Sequence, residues 1–391
     1  MKKPRRVNFL IAGAAVLLVG FGWQVSPDLL ATFLSPVYYA SSPDKSQPLE
    51  PVLPAPLPPV THLVTPEPVR AIYMTSWVAG TPSLRQELLK LALDTEINAL
   101  VIDVKDYSGK IFFPSENKSL IAWDSLENRI PDLREFIEQL HRHNIYAIAR
   151  IAAFQDPHAV GVRPELAVKR ASDGAVWKDF KGVSWIDPTA KPMWEYVAAI
   201  GREAYELGFD ELNFDYIRFP SDGNMKDISY PFFNSAIQTK AQALKDFFAY
   251  LDQALADLPV PLSADFFGMT TTNTDDLNIG QVLENAEPYF EFIAPMVYPS
   301  HYPTGFLNYK SPATMPYEII YHSLNIASQR LLLASSTPNK LRPWLQDFDL
   351  GATYDAEMIR KEKQAVYDLG LTSWMLWAPS NKYTVGALDP E

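Results

Sequence analysis

The sequence predicts an α/β protein built as a (β/α)8 TIM barrel, carried behind an N-terminal membrane anchor and a proline-rich linker. Three observations lead there. From Val69 to Glu391 short β-rich runs alternate with amphipathic helical stretches, and strands separated by helices pair in parallel through right-handed crossovers. Eight such strands in a stretch of this length suit one barrel with some long loops. An open doubly wound sheet would want a glycine-rich phosphate turn after an early strand. Ser76-Trp77-Val78-Ala79-Gly80 and Asp106-Tyr107-Ser108-Gly109 stand there instead.

Residues 1–25 read as a signal anchor. Lys2, Lys3, Arg5 and Arg6 form a basic head, followed by an apolar run to about Val25. That run matches a membrane span of roughly 17–25 residues. The charge precedes it, so the head stays inside and the rest of the chain lies outside the cytoplasm. No small-x-small cleavage site stands out after the run; secretion with signal cleavage is the rival reading. Residues 26–68 form the linker, with nine prolines between Pro43 and Pro68. Proline removes amide donors and fixes φ, which makes this an extended spacer rather than helix or sheet.

Residues 69–391 form the barrel domain. The expected strands are 69–77, 99–106, 146–154, 211–220, 261–269, 292–300, 330–337 and 373–379. Helices are expected near 82–96, 131–143, 192–207, 234–257, 279–289, 312–328 and 355–369. Pro131 and Pro192 sit where a first-turn proline is tolerated. Gly208 and Gly370 fall just past helical runs, where a left-handed residue ends a helix.

Composition narrows function. The chain has 391 residues, with 34 Lys and Arg against 46 Asp and Glu, a net charge of −12. Nucleic-acid affinity comes from Lys and Arg, so that partner class is disfavoured. With 47% hydrophobic and 20% charged residues a large core is expected. The absence of cysteine excludes disulfides, thiol nucleophiles, Cys-ligated zinc and iron–sulfur clusters. Aromatic residues, at 13%, are abundant, and exposed rings are a common way to hold sugars, nucleobases or apolar ligands.

Active sites of this fold lie at the C-terminal ends of the strands. There the sequence offers Asp103 and Lys105 on strand 2, Arg150 on strand 3, Asn213, Asp215 and Arg218 on strand 4, and Asp265 on strand 5. Tyr298 and His301 follow on strand 6, and Trp77 and Trp377 end strands 1 and 8. Alternation along a strand puts Asn213 and Asp215 on one face, with Leu212, Phe214 and Tyr216 on the other. The same parity joins Asp103 to Lys105, and Ser263 to Asp265. Several carboxylates near three cations suggest a purposeful constellation. Glycoside hydrolysis needs one protonated carboxyl to assist the leaving oxygen and one ionised carboxylate to attack or to activate water. Asp215, near Arg218 and Arg150, suits the ionised role, and Asp265, beside Phe266 and Phe267, suits the acid. Asp103, Lys105, Arg150, Arg218, Tyr298, His301, Trp77 and Trp377 are the expected substrate-binding set.

Other motifs weigh less. His141-x-His143 points its rings apart on a helix, so no metal site is expected. Trp177, Trp185 and Trp344 can stack on sugars or fill the core. The segment 155–191 is long enough to cover the mouth of the barrel. Ser335-Ser-Thr-Pro-Asn339, after the expected seventh strand, offers no phosphate cradle.

The stretches Tyr73-Met-Thr-Ser-Trp77, Asn98-Ala-Leu-Val-Ile-Asp-Val-Lys-Asp106 and Gly208-Phe-Asp-Glu-Leu-Asn-Phe-Asp-Tyr-Ile-Arg-Phe-Pro220 form a set with Ala264-Asp-Phe-Phe-Gly268 and Pro295-Met-Val-Tyr-Pro-Ser300. Together they resemble a bacterial domain-of-unknown-function family of glycoside-hydrolase type, distantly similar to α-amylase-like TIM-barrel glycosidases. The resemblance covers roughly residues 69–380. It implies a nucleophilic Asp at the end of strand 4, matched by Asp215, and an acid/base Glu at the end of strand 5, where this chain has Asp265. The shorter side chain widens the gap between the two, and a wider gap favours inversion. The expected protein is therefore a glycoside hydrolase without organic cofactor. It would be anchored outside the cytoplasm and act on a polysaccharide or cell-envelope glycan. The alternatives are a catalytically silent carbohydrate-binding or envelope-scaffold barrel, and a lyase or aldolase using Lys105 as a Schiff base.

Overall fold

The structure, a computed structural model, describes residues 60–391. The expected anchor (1–25) and most of the linker lie outside the described residues. Among the described residues no helix is long and apolar enough to cross a membrane.

Eight parallel strands close into a barrel in chain order. They are β1 (Arg70–Met74), β2 (Ala99–Lys105), β3 (Tyr146–Ala152), β4 (Glu211–Asp215), β5 (Leu262–Phe267), β6 (Phe292–Met296), β7 (Trp344–Gln346) and β8 (Trp374–Trp377). The helices that connect successive strands include α1 (Pro82–Asp94), α2 (Leu133–Arg142), α3 (Lys191–Glu206), α4 (Lys240–Leu255), the single-turn α5 (Leu283–Ala286), α6 (Pro316–Leu333) and α7 (Ala356–Asp368).

Local chemistry accounts for most of these elements. Buried Leu133, Phe136, Ile137 and Leu140 form one face of α2 at the spacing a helix requires. Pro82 and Pro316 occupy first-turn positions, where a missing N–H costs nothing. Asp355 starts α7 by accepting from the Glu357 and Met358 amides. Gly208 and Gly370, just past α3 and α7, take φ of 112° and 74°, which side chains rarely adopt. Two apolar layers result. Val69, Ala71, Tyr73, Ala99, Val101, Tyr146, Ile148, Ala294, Trp344 and Met375 fill the barrel interior. The alternate residues, such as Ile72, Leu100, Ile102, Ala147 and Leu212, pack outward on the helices.

Three expectations need correction. The seventh strand is not 330–337. Arg330 to Leu333 end α6, and the strand is the short Trp344–Gln346. Leu331 is buried while Leu332 and Leu333 are exposed, which is helical and not strand alternation. Arg330 fixes the helix end by pairing with Glu284 and donating to the carbonyls of Thr270, Thr271 and Asn273. Second, the described end of the linker packs on the domain. The Leu63 amide donates to Asp210, His62 stacks on Tyr205 at 4.1 Å, and Thr65 meets the Tyr146 hydroxyl at 2.9 Å. Third, the late position of His141 in its helical stretch predicts a solvated helix end, but its ring meets the buried Asp210 carboxylate at 3.0 Å.

Candidate active site

Register brings the polar residues together. Asp103 on β2 pairs across to Arg150 on β3, Arg150 to Asn213 on β4, and Asn213 to Ser263 on β5. Asp215 and Asp265 stand two residues further along β4 and β5, on the same inward parity. All of this lies at the C-terminal rim of the barrel.

Arg150 is the hub. Its Nη1 donates to Asp103 Oδ1 at 2.6 Å, its Nη2 pairs with Asp215, and its Nε lies 3.7 Å from Asp265 Oδ2. One buried guanidinium thus holds three buried carboxyl groups on three different strands. Asp215 is oriented from its other side as well. The chain turns sharply at Tyr216, with φ of 52°, and the Tyr216 amide donates back to Asp215 Oδ1 at 2.6 Å. A left-handed turn at a bulky residue is strained and persists only where the surroundings enforce it.

Asp265 is 2% exposed. Its Oδ1 accepts from Asn213 Nδ2 at 3.0 Å and from Trp344 Nε1 at 2.8 Å. Burial, reinforced by the charge of Asp215, pushes its pKa up to about 8, against the pull of Arg150. Burial also raises Asp103, to about 6, opposed by Arg150 and by the hydroxyl hydrogen bond from Tyr73. At neutral pH the arrangement therefore holds a proton mainly on Asp265. A like-charged pair sharing a site separates its two protonation states in this way.

These groups face a cavity of about 850 Å³ lined by Arg150, Asp215, Tyr216, Arg218, Asp265, Tyr298, His301, Trp344 and Trp377, among others. Its aromatic wall is built from Trp377, stacked on Tyr73 at 4.0 Å and meeting Trp344 edge-on at 5.5 Å. Desolvation and nearby Lys181 hold the His301 imidazole below its usual pKa, so it faces the cavity mainly as a neutral ring. The segment 155–191 contributes Gln155, Asp179, Lys181 and Val183 to the lining. Among the described residues no group of three His, Asp or Glu side chains is placed to hold a metal ion.

Two expected substrate-binding residues lie elsewhere, and a third stands behind the lining. Lys105 is wholly buried on an ion pair with Asp156 at 2.9 Å and donates to the Ala152 carbonyl at 2.6 Å. The cause is a bulge. Asp103 faces Arg150 but Lys105 faces Ile151, so the ladder slips between them and parity breaks. Its burial on Asp156, away from the cavity, leaves it no opening to a carbonyl substrate. Trp77 sits on a short helix outside the cavity, 65% exposed, with the Arg129 guanidinium 3.8 Å over its ring. Asp103 stands behind the lining and acts through Arg150. Sequence reasoning missed Tyr73 and the bond from Trp344 to Asp265. Tyr73 shares inward parity with Ala71 and was legible; Trp344 was hidden by the misplaced seventh strand.

The chain matches the family model described as "Putative glycosyl hydrolase domain" over residues 71–383, and it belongs to that family. The glycoside hydrolase domain of PgaB (BpsB) from Bordetella bronchiseptica has the same fold, at 14% identity and a TM-score of 0.60, over 80% of this chain and 94% of that one. A hypothetical protein from Ruminiclostridium thermocellum is 37% identical over 50% of this chain and 96% of its own, with a TM-score of 0.45. A chitinase from Chromobacterium violaceum aligns at 11% identity and a TM-score of 0.46, over 82% and 96%. No curated protein matches significantly. The class is thus a glycosyl hydrolase-type barrel, and these relatives do not bear on the expected α-amylase likeness.

Proposed function

We propose that the protein hydrolyses glycosidic bonds in a polysaccharide or cell-envelope glycan, with Asp265 as general acid and Asp215 as the ionised partner. One observation carries the reading. Two carboxyl groups from adjacent strands face one cavity across a shared guanidinium, and the more buried of them keeps its proton near neutrality. Asp265 would protonate the leaving oxygen. Asp215, paired with Arg150, would as a carboxylate attack the anomeric carbon or take a proton from the attacking water. Trp377 and Tyr298 offer faces for sugar rings. The basic head and apolar run at the N-terminus support a site outside the cytoplasm, on a membrane anchor.

A silent glycan-binding barrel is favoured by one feature: both Asp215 oxygens are already engaged, by Arg150 and by the Tyr216 amide. The discriminating experiment assays Asp215→Asn and Asp265→Asn for reducing-end release from a panel of bacterial glycans. Each variant is expected to lose at least about 100-fold in turnover while still binding the glycan. Wild-type turnover in both removes the catalytic assignment, and binding without any turnover in the parent protein supports the silent barrel.

A further inference from the structure

Arg218 is nine-tenths buried and lines the cavity, yet among the described residues it makes no ion pair. Its guanidinium lies 4.8 Å from the Trp185 and Phe267 rings and 5.6 Å from that of Tyr216. Only Nη1 donates to the protein, to the Phe219 carbonyl at 3.2 Å and to Ser221 Oγ at 3.1 Å. Nε and Nη2, the side edge of the fork, have no protein acceptor among the described residues. Elsewhere in this cavity the protein spends its charges differently: Arg150 is paired with three carboxyl groups, and Asp179 uses both oxygens on Gln155, Trp185 and the Lys181 and Val183 amides. Asp222 also lines the cavity but lies beyond ion-pair distance of Arg218.

The forked edge of this mostly buried cation opens on the cavity, where water or a ligand must complete it. The edge presents two parallel N–H donors, the match for a planar carboxylate. Lys181 lines the same cavity and adds a second positive charge whose ammonium has no protein partner among the described residues. We propose that Arg218, assisted by Lys181, is a recognition site for a carboxylate carried by the sugar chain. This rests on the glycan-cleaving reading of the cavity and narrows its substrate to acidic glycans. The carboxylate can belong to the ring of a hexuronate or to a lactyl ether on an amino sugar.

The test uses the whole protein carrying Asp265→Asn, which blocks turnover and leaves binding measurable. Calorimetry would compare hexuronate oligosaccharides with their carboxyl-reduced counterparts, and separately cell-wall oligosaccharides with free or amidated lactyl carboxyls. In one of the two series the free acid is expected to bind at least about tenfold more tightly. Arg218→Gln should abolish that preference, and Arg218→Lys should restore part of it. Lys181→Ala, at an exposed position, should weaken it several-fold and guards against misfolding of the Arg218 variants. Equal binding of acid and neutral forms in both series overturns the proposal but leaves the glycan reading intact. Inorganic phosphate displacing the acid as well as free hexuronate does also overturns it. No binding of any saccharide overturns both.

Discussion

Asp265 is surrounded by a hydrogen-bonding shell that would suit an anion, yet burial and the facing Asp215 outweigh it. The consequence for stability has a definite sign. The unfolded chain ionises this carboxyl near the ordinary value of 3.8, whereas the folded chain keeps the proton to about 8. Between those limits the folded state binds more protons than the unfolded one, so rising pH favours unfolding. The contribution of this residue is greatest below the lower limit and is lost as pH climbs to about 8. Urea titrations at pH 5 and pH 8 should therefore show a larger drop for the parent protein than for Asp265→Asn. An equal drop in the two would mean that Asp265 ionises normally. The inward parity of Asn213, Asp215 and Asp265 was readable from strand alternation. The role of Arg150 as the joint between them was not, since it depends on three strands arriving in register.

Elements were legible where pattern and length agreed. The α2 stripe and the β2 and β3 apolar runs are long enough for periodicity to speak. Trp344–Gln346 is three residues long and follows Pro343, too short to show alternation, while Arg330-Leu-Leu-Leu imitates a strand within a helix. The β2 bulge was equally invisible, and its consequence is structural. It delivers Lys105 to Asp156, whose other oxygen accepts the Ala159 amide at 2.6 Å and caps the helix Pro157–Val162. Gly109 closes over this joint at φ of 84°, and a Cβ there would come 1.9 Å from Asp156 Oδ1. Gly109→Ala must therefore strain its own backbone and displace the cap. It is expected to cost at least about 2 kcal/mol in denaturant titrations and to speed proteolysis within 155–191. Unchanged stability would show that this joint yields freely.

At the scale of the molecule, two buried charge clusters tie the barrel together at different levels. Near the start of the strands Arg342 grips Glu211 with bonds of 2.7 and 2.8 Å, and Tyr146 adds a hydroxyl contact at 3.3 Å. At the rim Arg150 gathers Asp103, Asp215 and Asp265. The lower pair sets one cation against one carboxylate, both almost wholly buried, and is structural. The upper one opens on the cavity, carries an excess of acid over base, and leaves a proton available where a sugar would sit. That difference is why catalysis is assigned to the rim, and it leads to a pH–rate profile as the most direct test. If Asp265 is the acid, kcat/KM on a cleavable glycan should fall above a pH of about 8, tenfold per unit. A profile that stays flat or rises from pH 7 through pH 9.5 would show that no proton on Asp265 is needed, and would contradict the account.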